Sequence, residues 1–206
     1  MNKKALIGLL VFLSIPFLMK LMPLNYMLSE LVFWLLFLAM ILWIYFVEKR
    51  TIASIGWKKL TIKLSLLAIG LGLVLFIVFG ITTMVIQKIG LQLNQEIAEM
   101  ISSKSIPVLI LLALRAAVVE EVLFRGYAFE RINELTNSKW VAGLVPLILF
   151  MLVHLSWGVG HLLFILVGGG LLTLMYVTKR NLALNIIAHF TVDVIALAVL
   201  PLMLGS

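Results

Sequence analysis

The chain has 206 residues, 64% of them apolar and 12% charged, with a formal net charge of +7 and no cysteine. Apolar runs of bilayer length, about 17 to 25 residues each, fill most of it and leave no room for a soluble domain, so the chain reads as one integral membrane unit. Without cysteine there are no disulfides, thiol nucleophiles or thiolate metal ligands, and any metal would depend on His, Asp or Glu.

Lys3 and Lys4 precede the run ALIGLLVFLSIPFLM, which ends without a small-x-small cleavage site and is therefore read as a retained first span rather than a signal. Spans are expected near residues 5–23, 28–47, 64–86, 106–128, 140–158, 161–178 and 182–203. The expected fold is an all-α polytopic bundle of about seven transmembrane helices across residues 1–206. Residues 1–105 supply amino-terminal helices and loops, and 106–201 form the core. With those spans, twelve basic residues fall on the side of the amino terminus and only Lys20, Lys88 and Lys104 on the other. That bias predicts a cytoplasmic amino terminus and accounts for the positive charge without invoking nucleic acid, while the short loops favour a prokaryotic cell membrane.

Between the second and third spans, EKRTIASIGWKKLTIK is basic and carries Trp57, and it is expected along the anionic leaflet or in a solvated loop. Between the third and fourth, Ile89, Leu93, Ile97 and Met100/Ile101 recur at helical spacing, which predicts an interfacial helix or cap.

The fourth span contains Glu120, Glu121 and Arg125 in the apolar stretch IPVLILLALRAAVVEEVLF-R. Ionisable groups at membrane depth each cost roughly 2.5 to 3.5 kcal/mol on insertion scales, so three within six residues point to chemistry or transport. Glu121 and Arg125, four apart, share a helical face and can pair, while Glu120 points about 100° away. Arg115, five residues before Glu120, is expected to face elsewhere. In the fifth span Phe150 and His154 lie one turn apart, and His161 beyond them reads as an interfacial residue. Gly168, Gly169 and Gly170 of the sixth span are expected to permit close helix packing. In the seventh, Asn185, His189 and Asp193 recur every four residues as a polar stripe, in which Asp193 can orient the His189 ring. Counted from the span centres, Glu120, His154, His189 and Asp193 fall within about 8 Å of the midplane, close enough to share one level.

EEVLFR, FMLVH and HFTVD resemble, in order and spacing, the EExxxR, FxxxH and HxxxN/D motifs of the CAAX protease and bacteriocin-processing (Abi) family, which includes the type II CAAX prenyl endopeptidases. The resemblance covers about residues 106–201. It implies an intramembrane endopeptidase acting on membrane-associated peptides or proteins, with the last four helices as catalytic core. Carried over, it makes Glu120 and His154 the pair that activates water, Glu121 and Arg125 the supporting ion pair, and His189 with Asp193 the group facing the oxyanion, with Asn185 and Phe150 in support. Where the prenyl endopeptidases end the third motif in Asn, this chain has Asp193; an ionised aspartate only accepts hydrogen bonds, so the donor role falls to His189. Two alternatives stay open on the site. Glu120, His154 and His189 could instead ligate Zn²⁺, since His and carboxylate ligands with an open position define catalytic zinc, although no HExxH motif exists. The same cluster would also suit a catalytically silent scaffold or self-immunity protein that binds membrane partners, or a proton-coupled transporter, against which the lack of an inverted repeat counts.

Overall fold

The computed structural model describes residues 3–199, so residues 200–203 of the last expected span lie outside the described residues. The described residues are helical throughout, with short turns and no strand. Seven rods make up the bundle. The first, α1 (Lys3–Lys20), leads through a short turn to α2 (Tyr26–Leu42), whose last turn, Trp43–Val47, is π-helical. α3 runs from Ile62 to Lys88, and the short α4 (Gln95–Ser102) follows it. The fourth rod is continuous over three segments: α5 (Ile106–Arg115), a π-helical stretch Ala116–Ala128, and α6 (Phe129–Thr136). Then come α7 (Lys139–Val153), α8 (Val159–Lys179) and α9 (Leu182–Val194), the last extended by a π turn, Ile195–Val199.

Helix starts follow local chemistry. Asn25, Thr61, Asn94, Ser138 and Asn181 each accept a hydrogen bond from the backbone N–H three residues on, satisfying a donor that the first helical turn leaves free. At two junctions a left-handed residue stops one helix immediately before the cap of the next: Asn137 (φ 54°) ahead of Ser138, and Arg180 (φ 44°) ahead of Asn181. Such short links force α6/α7 and α8/α9 to lie side by side.

Four helical segments, Tyr26–Val47, Ile62–Lys88, Val159–Lys179 and Leu182–Val199, are long and apolar enough to cross a bilayer, so the protein is a multi-pass membrane protein. α7 is apolar but shorter, and the fourth rod carries too many ions to qualify on composition. Leu31, Leu35, Leu38 and Leu42 form an exposed stripe along α2, as expected of a lipid-facing surface.

Three sequence expectations are corrected here. The fourth rod does not end at residue 128 but continues to Thr136. α7 ends at Val153, so His154 caps a helix instead of lying inside one. The loop after α2 does not lie along the leaflet at its start: Glu48, Ile55 and Gly56 are buried, and a 3-10 turn, Ile52–Ile55, packs on the fourth rod.

α9 is the most enclosed rod, packed against α3, α5, α8 and the π segment. Its contact with α3 is close because Gly72 faces Ala188 and Thr191; a Cβ there would fall 2.7 Å from the Ala188 carbonyl oxygen. This contact brings the polar stripe of α9 against the acidic pair of the fourth rod.

Candidate active site

Glu121 is the hub. Its side chain is fully buried, and three donors converge on its carboxylate: Arg125 Nη1 at 2.9 Å and His189 Nδ1 at 2.9 Å on Oε1, and Asn185 Nδ2 at 3.0 Å on Oε2. Arg125 is also saturated. Its Nη2 donates to the Gly169 carbonyl at 2.9 Å, its Nε approaches Thr173 Oγ1 at 3.4 Å, and its guanidinium lies 4.9 Å from the centre of the Phe150 ring. Gly169 leaves room for this fork, since a Cβ would lie 3.2 Å from Arg125 Nη2 and 3.1 Å from Leu147, and both side chains would have to give way. Buried charge persists only when paired and hydrogen-bonded, and this cluster satisfies that condition with residues of the fourth rod, α8 and α9.

His189 joins the hub to Asp193, whose Oδ2 lies 3.3 Å from Nε2. Both ring nitrogens therefore face carboxylate oxygens, and the ring satisfies both only when it carries both protons. The free nitrogen expected from the stripe is engaged by Glu121. Within the hub only Asn185 Oδ1 lacks a protein donor.

Glu120 stands apart from this cluster. It contacts Arg115 Nη1 at 3.3 Å and keeps 19% of its side-chain surface accessible. Arg115 in turn holds Glu30 of α2 through two bonds, Nε to Oε2 and Nη2 to Oε1, both at 3.1 Å. The sequence expectation that Arg115 faces elsewhere assumed α-helical geometry. Beyond Arg115 the rod is π-helical, and its i→i+5 hydrogen bonding stacks residues five apart.

His154 caps α7 at the end of the bundle that holds the α1/α2 turn. Its Nδ1 is 2.8 Å from the Phe150 carbonyl oxygen; a carbonyl only accepts, so Nδ1 carries a proton, and in the neutral ring Nε2 is the acceptor. The ring lies between Phe150 (4.7 Å) and Trp157 (4.6 Å), and His161 follows Trp157 at 4.8 Å. Glu120, Lys20 and Arg115 all lie within electrostatic range of His154.

The structure thus brings Glu121, Arg125, Asn185, His189 and Asp193 into one connected cluster, with Phe150 packed on it, and sets Glu120 and His154 beside it. Among the described residues no three His, Asp or Glu side chains are arranged to hold a metal ion, so the zinc set of Glu120, His154 and His189 is not assembled. The donors are spoken for: Glu121 and Asp193 take the nitrogens of His189, and Arg115 takes Glu120. Two surface crevices, one at the α3–α4 connection and one between α3 and α8, are lined by none of these residues. Sequence reading missed Glu30 and Thr173, which fall in no motif; an isolated acid four residues into an apolar helix was the available signal for Glu30.

No curated protein and no solved structure matches the chain. Residues 102–195 match the family described as "Rce1-like: Type II CAAX prenyl endopeptidase Rce1-like", a stretch that contains all three motifs and every member of the buried cluster. Those residues are Rce1-like, in agreement with membership of the CAAX protease and bacteriocin-processing family.

Proposed function

We propose that the protein is an intramembrane endopeptidase in which Glu120 and His154 activate a water that attacks a peptide carbonyl. Glu120, partly accessible and held by a single ion pair, is the base that takes the water proton and returns it to the peptide nitrogen as the C–N bond of the tetrahedral intermediate breaks, releasing the amine and the carboxylate products. In its neutral form His154, with Nδ1 committed to the Phe150 carbonyl, accepts a hydrogen bond from the same water at Nε2. The doubly hydrogen-bonded His189 ring is the donor for the tetrahedral oxyanion, its longer bond to Asp193 yielding as the substrate oxygen arrives. Glu121 and Arg125 have no free capacity for chemistry and hold α9 in register with the fourth rod. One observation supports this reading most: of two adjacent carboxylates, one is fully buried under three donors, while the other keeps part of its surface accessible within electrostatic range of His154.

The family description makes prenylated membrane-anchored peptides the first substrate class to try, in the cell membrane with an internal peptide bond near the anchor. The purified protein in lipid nanodiscs is expected to cleave a quenched fluorogenic farnesylated peptide or its unprenylated counterpart. Glu120→Gln and His154→Asn should each remove at least about 10²-fold of that rate, in the range of general acid–base contributions. Full activity in folded Glu120→Gln protein would refute the assignment.

A further inference from the structure

The chain holds an arginine and an acid that no motif includes and that the catalytic scheme above does not use. Arg115 and Glu30 are largely buried, with 13% and 20% of their side-chain surfaces accessible, and they join two rods through a two-pronged ion pair. The arginine has a third arm. Its Nη1 reaches Glu120, and its guanidinium carbon lies 4.6 Å from the centre of the Phe33 ring, which fixes the plane of the fork from the α2 side. A planar guanidinium with two donors committed to one carboxylate has little freedom in where it directs the third.

We propose that Arg115, oriented by Glu30 of α2, is a positioning residue that sets where the Glu120 carboxylate points. The inference rests on the reading of Glu120 as the base. It assigns a task to a residue of the amino-terminal half, Glu30, which lies outside the stretch of family likeness. The groups tied to Glu120 are Arg115, through the ion pair, and His154 on α7, within electrostatic range; Glu121 adjoins it in the chain, Glu30 and Tyr26 of α2 face the Arg115 fork, and Lys20 of α1 faces His154. Among these, Arg115 is the one that forms an ion pair with Glu120, and Glu30 competes for the same cation.

This competition predicts shifts of opposite sign. Glu30→Gln leaves the cation entirely to Glu120, favours its ionised form, and moves the acid limb of the kcat/KM profile to lower pH. Arg115→Gln leaves Glu120 facing Glu30 across a low-dielectric gap and moves the limb to higher pH. Each shift is expected to be about one pH unit or more, the size produced by a charge within ion-pair range. Arg115→Gln should also lower kcat by about 10² with KM nearly unchanged, as a displaced reacting group does, and Arg115→Lys should restore part of the rate because it keeps the charge without the fork.

The same variants are to be read in nanodiscs without substrate, by infrared titration of the Glu120 carboxylic-acid band, assigned by difference against Glu120→Gln. Opposite displacements of that band in Glu30→Gln and Arg115→Gln support the proposal. Displacements of one sign, or none in folded protein, overturn it. If Arg115→Gln does not fold, Glu30→Gln decides alone, a move to lower pH supporting the proposal and an unmoved titration overturning it. A wild-type protein that cleaves neither fluorogenic peptide counts against the peptidase reading only, because the infrared titration still judges the roles of Arg115 and Glu30.

Discussion

Two buried ion networks stand at different levels of this bundle and are built differently. The inner one, around Glu121, draws its members from the fourth rod, α8 and α9, all within the Rce1-like stretch. The other closes the bundle's far end, where Glu48 meets Arg131 at 2.5 Å with both side chains fully buried and accepts from Tyr127 Oη at 2.7 Å. Arg131 also reaches the Ser54 carbonyl and hydroxyl, and nearby Glu130 takes Tyr176 Oη at 2.8 Å and pairs with Arg180. The inner network aligns helices that bear the candidate chemistry, whereas the outer one fastens the amino-terminal half onto them. Each is centred on a fully buried glutamate, Glu121 or Glu48, and Glu120 belongs to neither, which is why the proposed chemistry falls to it.

The largest effect that would test this contrast is in the far-end clamp. Glu48→Ala strips Arg131 and Tyr127 of a shared partner at a dry site and should lower stability by about 3–5 kcal/mol, read by equilibrium unfolding in mixed micelles. A loss below about 1 kcal/mol would mean that the clamp does not join the halves. Next comes the comparison within the acidic pair. Glu121→Ala abandons buried Arg125 and His189 and should cost a similar amount, while Glu120→Gln, which leaves Arg115 still paired with Glu30, should cost clearly less. Equal losses from the two would erase the division between scaffold and chemistry. Gly169→Ala pushes against Arg125 and Leu147 and is expected to cost about 1–3 kcal/mol, the usual range for overpacking. The smallest change is expected at Arg50, whose 2.5 Å contact with Glu134 is partly solvated; Arg50→Ala should alter the unfolding midpoint by no more than about 1 kcal/mol.

Much of the bundle was legible before any coordinates. Apolar runs predict rods because an unpaired backbone cannot remain in lipid, and the rods lie where those runs fall. The Asn185–His189–Asp193 stripe and the Glu121–Arg125 pair were readable because four-residue spacing shares a face in an α-helix, and near-α spacing survives the local widening well enough for the pair to form. Arg115 does pair with a neighbour, Glu30, but its contact with Glu120 was unreadable for the converse reason: residues five apart do not share a face in an α-helix, and the π geometry that stacks them leaves no reliable mark in a single sequence. Gly168 and Gly169 do meet neighbouring side chains closely, but Gly170 faces open space, since glycine spacing alone does not say which side of a rod is packed.

By itself the amino-acid sequence determined that this is a helical multi-pass membrane protein with ionisable residues concentrated in its later rods, because hydrophobic length and helical period are local properties of the chain. Only the tertiary structure decided which of two neighbouring glutamates is enclosed, which nitrogen of each histidine is committed, and that Glu30 and Glu48 reach across from the amino-terminal half. Apart from the His154 ring, whose Nδ1 bonds to Phe150 four residues back, those outcomes depend on contacts between residues 64 to 85 positions apart, where no spacing rule operates and only the packing of one rod against another selects the partner.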